Sequence, residues 1–425
     1  MSTGSTPHIV VVGGGFAGMS VLKALRKTRA RITLVDRQAY STFQPLLYQV
    51  ATATLNPGDI TYFLRSVRSR RPQVRFVNGT VTGMDHDART VSLSSGRQLA
   101  YDYLVIATGV TANYFGIEGA AEHAMPLYTR NQAIALRDAI FTRLEQVASA
   151  GQSGDLRVVV VGGGATGVET AGALAELRNT DMPVTYPELD ASRTHITLVE
   201  MMPAVLGPFR DDIQAYAKHA LERRGVDLRL GTAVKQVRPD GVVVGDKEEE
   251  LIPAGVIIWA SGVRPHDVVA QWGLPQGRGH RISVDDHLQV QGLDRVWAVG
   301  DVAVENGDRA LPQLAQPAMQ TGRYVGSLLA AKIDGGADVG RFSYRDLGTM
   351  ATIGRTAAVA QIPHLPSVTG LPAWLVWMAV HLSQLLGNRN RIASMINLGA
   401  KYLFWGGNHN AIVGETRHRV RVPEE

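Results

Sequence analysis

A glycine-rich fingerprint occurs twice in this chain and constrains its fold more than any other feature. In the first copy, the β-branched run 8–12 leads into a G-x-G-x-x-G sequence at 13–18, after which apolar residues recur at helical spacing. Residues 31–35 then predict a second strand, which is followed by Asp36. This order of strand, glycine turn, helix and acid-tipped strand is typical of a Rossmann dinucleotide-binding unit.

The residues of the fingerprint have separate physical tasks. Gly13 allows the tight turn, Gly15 lets the backbone approach a pyrophosphate, and Gly18 lets the helix pack closely. Asp36 follows Gly18 by 18 residues, where a carboxylate can accept hydrogen bonds from an adenosine ribose. Glycine turns between a strand and a helix also occur for structural reasons alone, so one copy leaves both interpretations open.

The second copy repeats the pattern in full. A predicted strand at 157–161 leads into Gly162–Gly167, a helix is predicted at 168–177, and a strand at 195–199 ends before Glu200. Two such units predict two dinucleotides, and in a redox protein such a pair indicates a flavin and a nicotinamide nucleotide.

The repetition continues beyond the fingerprints. Each unit has a short alternating region and then a strand with a small-residue turn, Ala107-Thr108-Gly109 in the first copy and Ala260-Ser261-Gly262 in the second. In the second unit, residues 179–193 connect the predicted helix to the next predicted strand. This segment contains two prolines and is predicted to form a surface loop.

The chain contains no cysteine. A disulfide, a thiolate nucleophile, a Cys-ligated zinc site and a Cys-held iron–sulfur cluster are therefore excluded, and no metal site is predicted.

A third segment, at 296–300 and followed by Asp301, looks like a buried strand closed by Gly-Asp. With it, the chain resembles the two-dinucleotide flavoprotein oxidoreductases, in which such a strand completes a split flavin domain and the second unit is the inserted nicotinamide domain. The resemblance places Asp301 at the ribityl and pyrophosphate region of the flavin. Members that need active-site cysteines, namely disulfide reductases, CoA-disulfide reductases and sulfide:quinone oxidoreductases, do not fit this sequence.

Two further segments resemble type II NADH dehydrogenases, which pass electrons to quinone. Phe43–Ala51 resembles their flavin-contacting segment, and the sequence 315–320 matches their A-Q-x-A-x-Q signature at the quinone end of the flavin. Pro317 suits the first turn of a helix that continues to about Lys332. Leu347 departs from the resemblance, since many family members have a lysine there.

The resemblance implies non-covalent FAD and NADH as cofactors, and a set of residues for each site. Glu169, Gln316 and Gln320 are the expected catalytic residues, with Glu169 near the flavin and nicotinamide and the two amides near a quinone carbonyl. The predicted FAD contacts are Gly13, Gly15, Phe16, Ala17, Gly18, Asp36, Gln44, Ala107, Thr108, Gly109, Asp301, Ala315 and Gln316. The predicted NADH contacts are Gly162, Gly164, Ala165, Thr166, Gly167, Glu200, Ser261 and Gly262. NADH is favoured over NADPH because residues 201–203, Met-Met-Pro, offer no cation for a 2′-phosphate.

The predicted fold class is α/β, with two Rossmann-like domains and a C-terminal helical region for membrane attachment. The expected FAD domain is split between 1–117 and 275–350, the NADH domain spans 118–274, and the C-terminal region spans 351–425.

The C-terminal region reads as an interfacial helical hairpin. Residues 372–386 carry no charge, but 15 residues of helix reach only about 22 Å, short of the ~30 Å core of a bilayer. Apolar residues at 392, 395, 396, 399 and 403 then recur on one helical face. Trp374, Trp377 and Trp405 are expected at headgroup depth, and Arg389, Arg391 and Lys401 are expected to face anionic lipid. A core or dimer-interface role for these helices stays open, and the resemblance also implies a homodimer.

These features together predict a peripheral protein on the cytoplasmic face of the cell membrane, which oxidises NADH and reduces membrane quinone. Nucleic acid is not an expected partner, and proton pumping is not expected without a chain of intramembrane ionisable residues. One alternative is a reductase of a protein acceptor such as rubredoxin or ferredoxin. Another is a nucleotide-loaded redox sensor of the apoptosis-inducing-factor kind.

Overall fold

The computed structural model describes residues 6–149, 155–245, 248–305 and 310–403. Contacts divide the chain into two compact units. Unit 1 is built from the described residues of Met1–Ser41, Tyr62–Thr111 and Val263–Asp346. Unit 2 is built from those of Thr42–Thr61, Ala112–Gly262 and Leu347–Glu425.

The strands, in chain order, are β1 His8–Val12, β2 Arg31–Asp36, β3 Tyr40–Thr42, β4 Thr61–Phe63, β5 Val74–Asn78, β6 Val81–Asp85, β7 Thr90–Leu93, β8 Gln98–Ala100, β9 Tyr103–Ile106, β10 Thr111–Ala112, β11 Met125–Pro126, β12 Leu156–Val161, β13 Thr194–Glu200, β14 Val226–Leu230, β15 Val234–Arg238, β16 Gly241–Val244, β17 Glu250–Pro253, β18 Val256–Trp259, β19 Val263–Arg264, β20 Ile282–Val284, β21 Val296–Ala298, β22 Ala303–Glu305, β23 Thr349–Thr352, β24 Ala358–Gln361 and β25 Val368–Thr369.

The α-helices are α1 Phe16–Ala24, α2 Leu47–Ala51, α3 Ala120–His123, α4 Arg130–Ser149, α5 Ala165–Glu176, α6 Met182–Thr185, α7 Asp211–Glu222, α8 Ala315–Asp334, α9 Gly370–Gln384 and α10 Asn388–Leu403. Short 3-10 turns occur at Leu25–Lys27, Gln44–Leu46, Leu64–Ser69, Ala191–Arg193, Asp267–Trp272, Arg278–His280 and Gly300–Val302, and Leu177–Asp181 forms a π-helical turn.

Unit 1 is organised around a five-stranded parallel sheet in the order β21-β9-β1-β2-β5. Its central strand β1 is buried throughout, as expected for a strand covered on both faces. The late strand β21 pairs with β9, so the segment at 296–300 joins the sheet of the first fingerprint, as predicted. The antiparallel strands β6, β7 and β8 form the alternating region, and α1 packs against α8.

Unit 2 repeats this architecture. Its parallel sheet has the order β11-β18-β12-β13-β14, and β15, β16 and β17 form the matching antiparallel meander. A second antiparallel sheet in this unit contains β23, β24 and β25. The two Rossmann-like sheets confirm the predicted α/β fold class.

One local prediction is wrong. Residues 179–193 were expected to form a surface loop, but the chain continues from α5 through the π-helical turn into α6 before it becomes irregular. Asp181 and Met182 are buried. Thr194, the first residue of β13, donates to Met182 Sδ at 3.9 Å, and Thr185 Oγ1 donates to the Asp181 carbonyl at 3.0 Å, so this segment is ordered by contacts with β13 and within its own turn. Pro183 stands in the first turn of α6, where a missing backbone N–H costs nothing.

The C-terminal helices belong to unit 2. Within the described ranges, no helix combines the length and the apolar character needed to cross a membrane. Helix α9 and helix α10 expose several large apolar side chains, namely Leu371, Leu375, Val376, Ile392, Met395 and Ile396.

Candidate active site

The first glycine turn follows β1 in unit 1. Gly13 has φ +106°, and the carbonyl of Ala107 occupies the space of a Cβ atom there, so only glycine fits. No atom lies within 4 Å of a Cβ built on Gly15, which leaves room for a ligand to approach the backbone. Asp36 Oδ2 accepts the Gly14 backbone N–H at 2.6 Å, and burial raises the pKa of this carboxyl.

The second turn, in unit 2, has the same construction. Gly162 has φ +112° and lies against the carbonyl of Ala260. Glu200 Oε2 accepts the Gly163 N–H at 2.5 Å, and its Oε1 accepts the Met202 N–H at 2.7 Å. Both acid-tipped strands therefore bond the middle glycine of their own turn, which fixes the carboxylate at the mouth of the predicted nucleotide site.

The helices that follow the turns begin at Phe16 and Ala165, and neither has a side-chain hydrogen bond at its N-cap. Because no capping side chain lies there, the positive end of each helix favours an anion. The predicted contacts Ala17 and Gly18 lie in the first turn of α1, and Thr166 and Gly167 lie in the first turn of α5.

The Gly-Asp turn after β21 contains a strongly perturbed carboxyl. Asp301 Oδ1 is buried and has no hydrogen-bond partner among the described residues. Burial raises the pKa of Asp301 to about 7, although the Arg281 guanidinium opposes the shift. The hydroxyl of Thr108, also in unit 1, is buried without a partner in the described ranges.

Buried polar atoms without partners normally bind something else. Asp301 and Thr108 were both predicted to contact FAD, as was Gln44, whose Oε1 in unit 2 is likewise buried and unbonded within the described chain. Within unit 1, a cofactor rich in hydroxyl groups would satisfy the buried oxygens of Asp301 and Thr108, so these two residues fit FAD.

Helix α8 begins at Ala315, and Pro317 stands in its first turn, as predicted. Gln316 is half-buried. The Gln320 amide, by contrast, is already engaged, since it donates to the Arg345 carbonyl at 2.9 Å and accepts the Arg345 N–H at 3.0 Å. Gln320 therefore holds the backbone of the segment that precedes Leu347.

Glu169 lies within α5 of unit 2 and is 7% exposed. Helix α5 lies close to the β23–β24 turn. A Cβ atom at Gly172 would clash with the backbone of Ile353, so only glycine allows this approach. This contact places the Thr352 N–H 3.2 Å from Glu169 Oε1. Burial raises the pKa of Glu169 to about 8, and the Thr352 N–H and the Trp377 side chain oppose the shift.

Aromatic side chains enclose this carboxyl. Tyr48 is buried, and its pKa is raised by burial and also by the charge of Glu169. The centroid of the Trp377 ring lies 6.3 Å from that of Tyr48. The same ring stacks on His381, with the two centroids 4.2 Å apart. His381 Nδ1 lies 2.7 Å from the Trp377 carbonyl oxygen, and burial lowers the pKa of His381 to about 4. Around neutral pH this centre therefore contains a largely protonated acid and an uncharged imidazole.

Two predictions about the C-terminal helices are wrong. Trp377 was expected at headgroup depth but is 1% exposed, because it packs inward against Tyr48 and His381. Lys401 was expected to face lipid, but its ammonium lies 2.9 Å from Thr54 Oγ1 and 3.6 Å from a carboxylate oxygen of Asp181.

Other predictions for these helices have different outcomes. Trp374 is half-buried and packs edge-on against Tyr402 at 5.1 Å. Arg389 and Arg391 are exposed, and their expected contact with anionic lipid stays a prediction. Trp405 lies outside the described residues.

The sequence did not identify Tyr48, Thr352, Trp377 or His381 as neighbours of Glu169. Tyr48 lies in the segment that resembles a flavin contact, and this resemblance is the only signal that could have found it. The other three residues come from segments that do not belong to either fingerprint.

Comparison with known proteins agrees with this geometry. The profile of the pyridine nucleotide-disulphide oxidoreductase family matches residues 7–322, and that of the NDH2 C-terminal domain matches residues 347–405. The type II NADH:quinone oxidoreductase Ndh of Mycobacterium tuberculosis is 33% identical over 414 residues, which cover 93% of this chain and 88% of the relative. NdhA of the same organism is also 33% identical, over 95% of this chain and 88% of the relative.

A solved structure has the same fold. NDH2 from Plasmodium falciparum, determined in complex with NADH, superposes with a TM-score of 0.86 at 20% identity, covering 95% of this chain and 99% of that one. The identity to the mycobacterial relatives, together with the coverage of both chains, shows the family directly: the chain belongs to the type II NADH:quinone oxidoreductases.

Proposed function

We propose that this protein is a NADH:quinone oxidoreductase that does not pump protons. The observation that carries the proposal is the family relationship over nearly the whole chain, including the C-terminal domain typical of NDH2 proteins. The protein uses FAD and NADH, and its electron acceptor is a quinone. The flavin supplies the redox chemistry, since it can take up a hydride from NADH and pass two electrons to the quinone.

The FAD site is proposed to lie at the first glycine turn and the Gly-Asp turn of unit 1. The open face of Gly15 and the uncapped start of α1 would hold the pyrophosphate. Asp36 would accept from the adenosine ribose, and Asp301 and Thr108 would bond the ribityl region, which would satisfy their buried oxygens. Further proposed contacts are Phe16, Ala17, Gly18, Gln44, Ala107, Gly109, Ala315 and Gln316.

The NADH site is proposed to lie at the second turn, with Glu200 on the adenosine ribose. Gly164 leaves the backbone open, and the first N–H groups of α5 face the same region. Proposed contacts in this site also include Gly162, Ala165, Thr166, Gly167, Ser261 and Gly262. Exposed Met201 and Met202 follow Glu200, which favours NADH over its 2′-phosphorylated form.

Glu169 is proposed to take part in proton movement. Reduction of a quinone consumes two electrons and two protons, whereas NADH supplies one hydride, so one further proton is required. A carboxyl with a pKa of about 8 holds a proton at neutral pH and can release it. Gln316 is proposed to lie near a quinone carbonyl, and Gln320 is proposed to position this region through its bonds to Arg345.

The domains that we propose for these activities have different boundaries from units 1 and 2. FAD would be bound by 1–117 and 275–350, NADH by 118–274, and membrane attachment would belong to 351–425.

The protein is a peripheral membrane protein by its family, and we propose that the apolar side chains exposed on α9 and α10 contact the lipid. Ile392, Met395 and Ile396 lie on α10, with exposed Arg389 and Arg391 near its start to meet anionic headgroups. Attachment at the cytoplasmic face and assembly as a homodimer are also proposed.

Steady-state oxidation of NADH and NADPH with a short-chain quinone tests the function. The purified, FAD-loaded protein should reduce the quinone with NADH much faster than with NADPH. Reduction of ferricyanide without reduction of any quinone would contradict the proposal, and would favour a protein acceptor instead.

A further inference from the structure

Phe115 has an unusual conformation for an aromatic residue. Its φ is +54°, in the left-handed region that residues other than glycine rarely adopt, and the residue is 60% exposed. The preceding residue, Tyr114, packs instead against the buried Trp259 ring at 5.5 Å. A strained and exposed aromatic residue beside a well-packed one calls for a physical reason.

The neighbouring backbone fixes this conformation. Asn113 Oδ1 accepts the Phe115 N–H at 2.9 Å, and the Asn113 carbonyl accepts the indole N–H of Trp259 at 2.8 Å. The Asn113 N–H in turn donates to the Gly262 carbonyl at 3.2 Å. The Phe115 ring is therefore presented by a hydrogen-bonded turn that is tied to the end of β18.

The ring lies directly over Gly262. Its edge atoms occupy the space that a Cβ at position 262 would need, and Gly262 itself has φ +64°. The small-residue turn after β18 and the Phe115 ring thus form one surface, with the free face of the ring turned to solvent.

The sheet order indicates which part of a dinucleotide would reach this surface. Strand β12 is central, β13 lies on one side with Glu200 at its end, and β18 lies on the other side. A dinucleotide crosses the carboxyl ends of such strands, with its adenosine at the acid-tipped strand and its other half on the opposite side. The nicotinamide half would therefore lie beside Gly262 and Phe115.

We infer that Phe115 packs against the nicotinamide half of NADH and helps to position it. This inference rests on the proposed NADH site. The backbone strain at position 115 is then the cost of presenting the ring toward the ligand, and binding would bury the exposed face.

Calorimetric binding of NAD⁺ and of ADP-ribose to the FAD-loaded protein tests the inference, because ADP-ribose lacks only the nicotinamide. We expect Phe115→Ala to weaken NAD⁺ binding by roughly tenfold and to leave ADP-ribose binding unchanged. Phe115→Tyr should restore NAD⁺ binding. Phe63→Ala, which removes a similarly exposed ring from unit 1, should bind both ligands as the wild type does.

A second variant separates binding from folding. Phe115→Gly suits a positive φ, so it should weaken NAD⁺ binding while its thermal midpoint stays at or above that of the wild type. Unchanged NAD⁺ affinity in Phe115→Ala, or an equal loss for both ligands, would overturn the inference. Because the assay contains no quinone, failure to reduce quinone would contradict the proposed function alone.

Discussion

Replacing Glu169 with glutamine should stabilise the protein increasingly as the pH rises from 5 to 8. Glutamine has nearly the same shape and can still accept the Thr352 N–H, but it cannot ionise. The wild-type carboxyl, on α5, is buried against the β23–β24 turn, where ionisation is unfavourable. The variant thus removes one titration and leaves the packing in place.

The magnitude follows from linkage between protonation and folding. The pKa of Glu169 is raised from 4.5 to about 8 in the folded protein. Between these values the unfolded chain has lost this proton and the native protein retains it, so wild-type stability falls as the pH rises. At about 1.4 kcal/mol for each unit of pKa, the carboxyl costs about 3 kcal/mol at pH 7, and this cost levels off near 5 kcal/mol above pH 8.

Thermal unfolding of the FAD-loaded protein, followed by tryptophan fluorescence at pH 5, 6, 7 and 8, measures this effect. The midpoint of Glu169→Gln should exceed that of the wild type by several degrees at pH 8 and by little at pH 5. A gap that does not widen from pH 5 to pH 8 would refute the reasoning.

Four further outcomes are expected. Quinone reduction by the wild type should decline as the pH rises through about 8, since Glu169 then loses its proton. A stopped-flow pH profile measures this decline, and a flat profile would show that another group donates the proton to the quinone. Asp301→Ala should lower the flavin content of the purified protein, measured by visible absorbance, because it removes a buried acceptor. The double change Ile392→Glu and Ile396→Glu should release the protein from anionic vesicles in a sedimentation assay, and retention would exclude this face as the anchor. Lys401→Met should lower the midpoint of thermal unfolding, because the carboxylates of Glu176 and Asp181 lose the cation beside them.

The sequence predicted the parts of the fold that depend on local pattern. The predicted strand at 8–12 matches the bounds of β1, His8–Val12, because buried parallel strands read as unbroken apolar runs. The glycine turns were found because their φ values and close approaches admit no other residue. The loop predicted at 179–193 was wrong, since a proline in the first turn of a helix looks the same in sequence as a proline that breaks one.

The surroundings of Glu169 depend instead on contacts between distant segments. Thr352, which bonds its carboxylate, is 183 residues away in the chain, and no periodic pattern links the two. The same limit explains the wrong prediction for Lys401. In the sequence, a cation beside an apolar helix face indicates a lipid contact, and only the structure shows that its partner is Asp181. Amphipathic patterns show which residues avoid water but do not show which polar groups meet inside the fold.

The two glycine turns and their acids form within single Rossmann-like units, so nucleotide binding is a local property that the sequence displays. The buried acid is different, since burial raises its pKa against the opposing effects of the Thr352 N–H and the Trp377 side chain, and these partners come from distant segments of the chain. Helix α9 both exposes apolar side chains to solvent and encloses Glu169 with its inward face. Any displacement of α9 at a lipid surface would therefore change the solvation of that carboxyl, and with it the pH at which the proton is released.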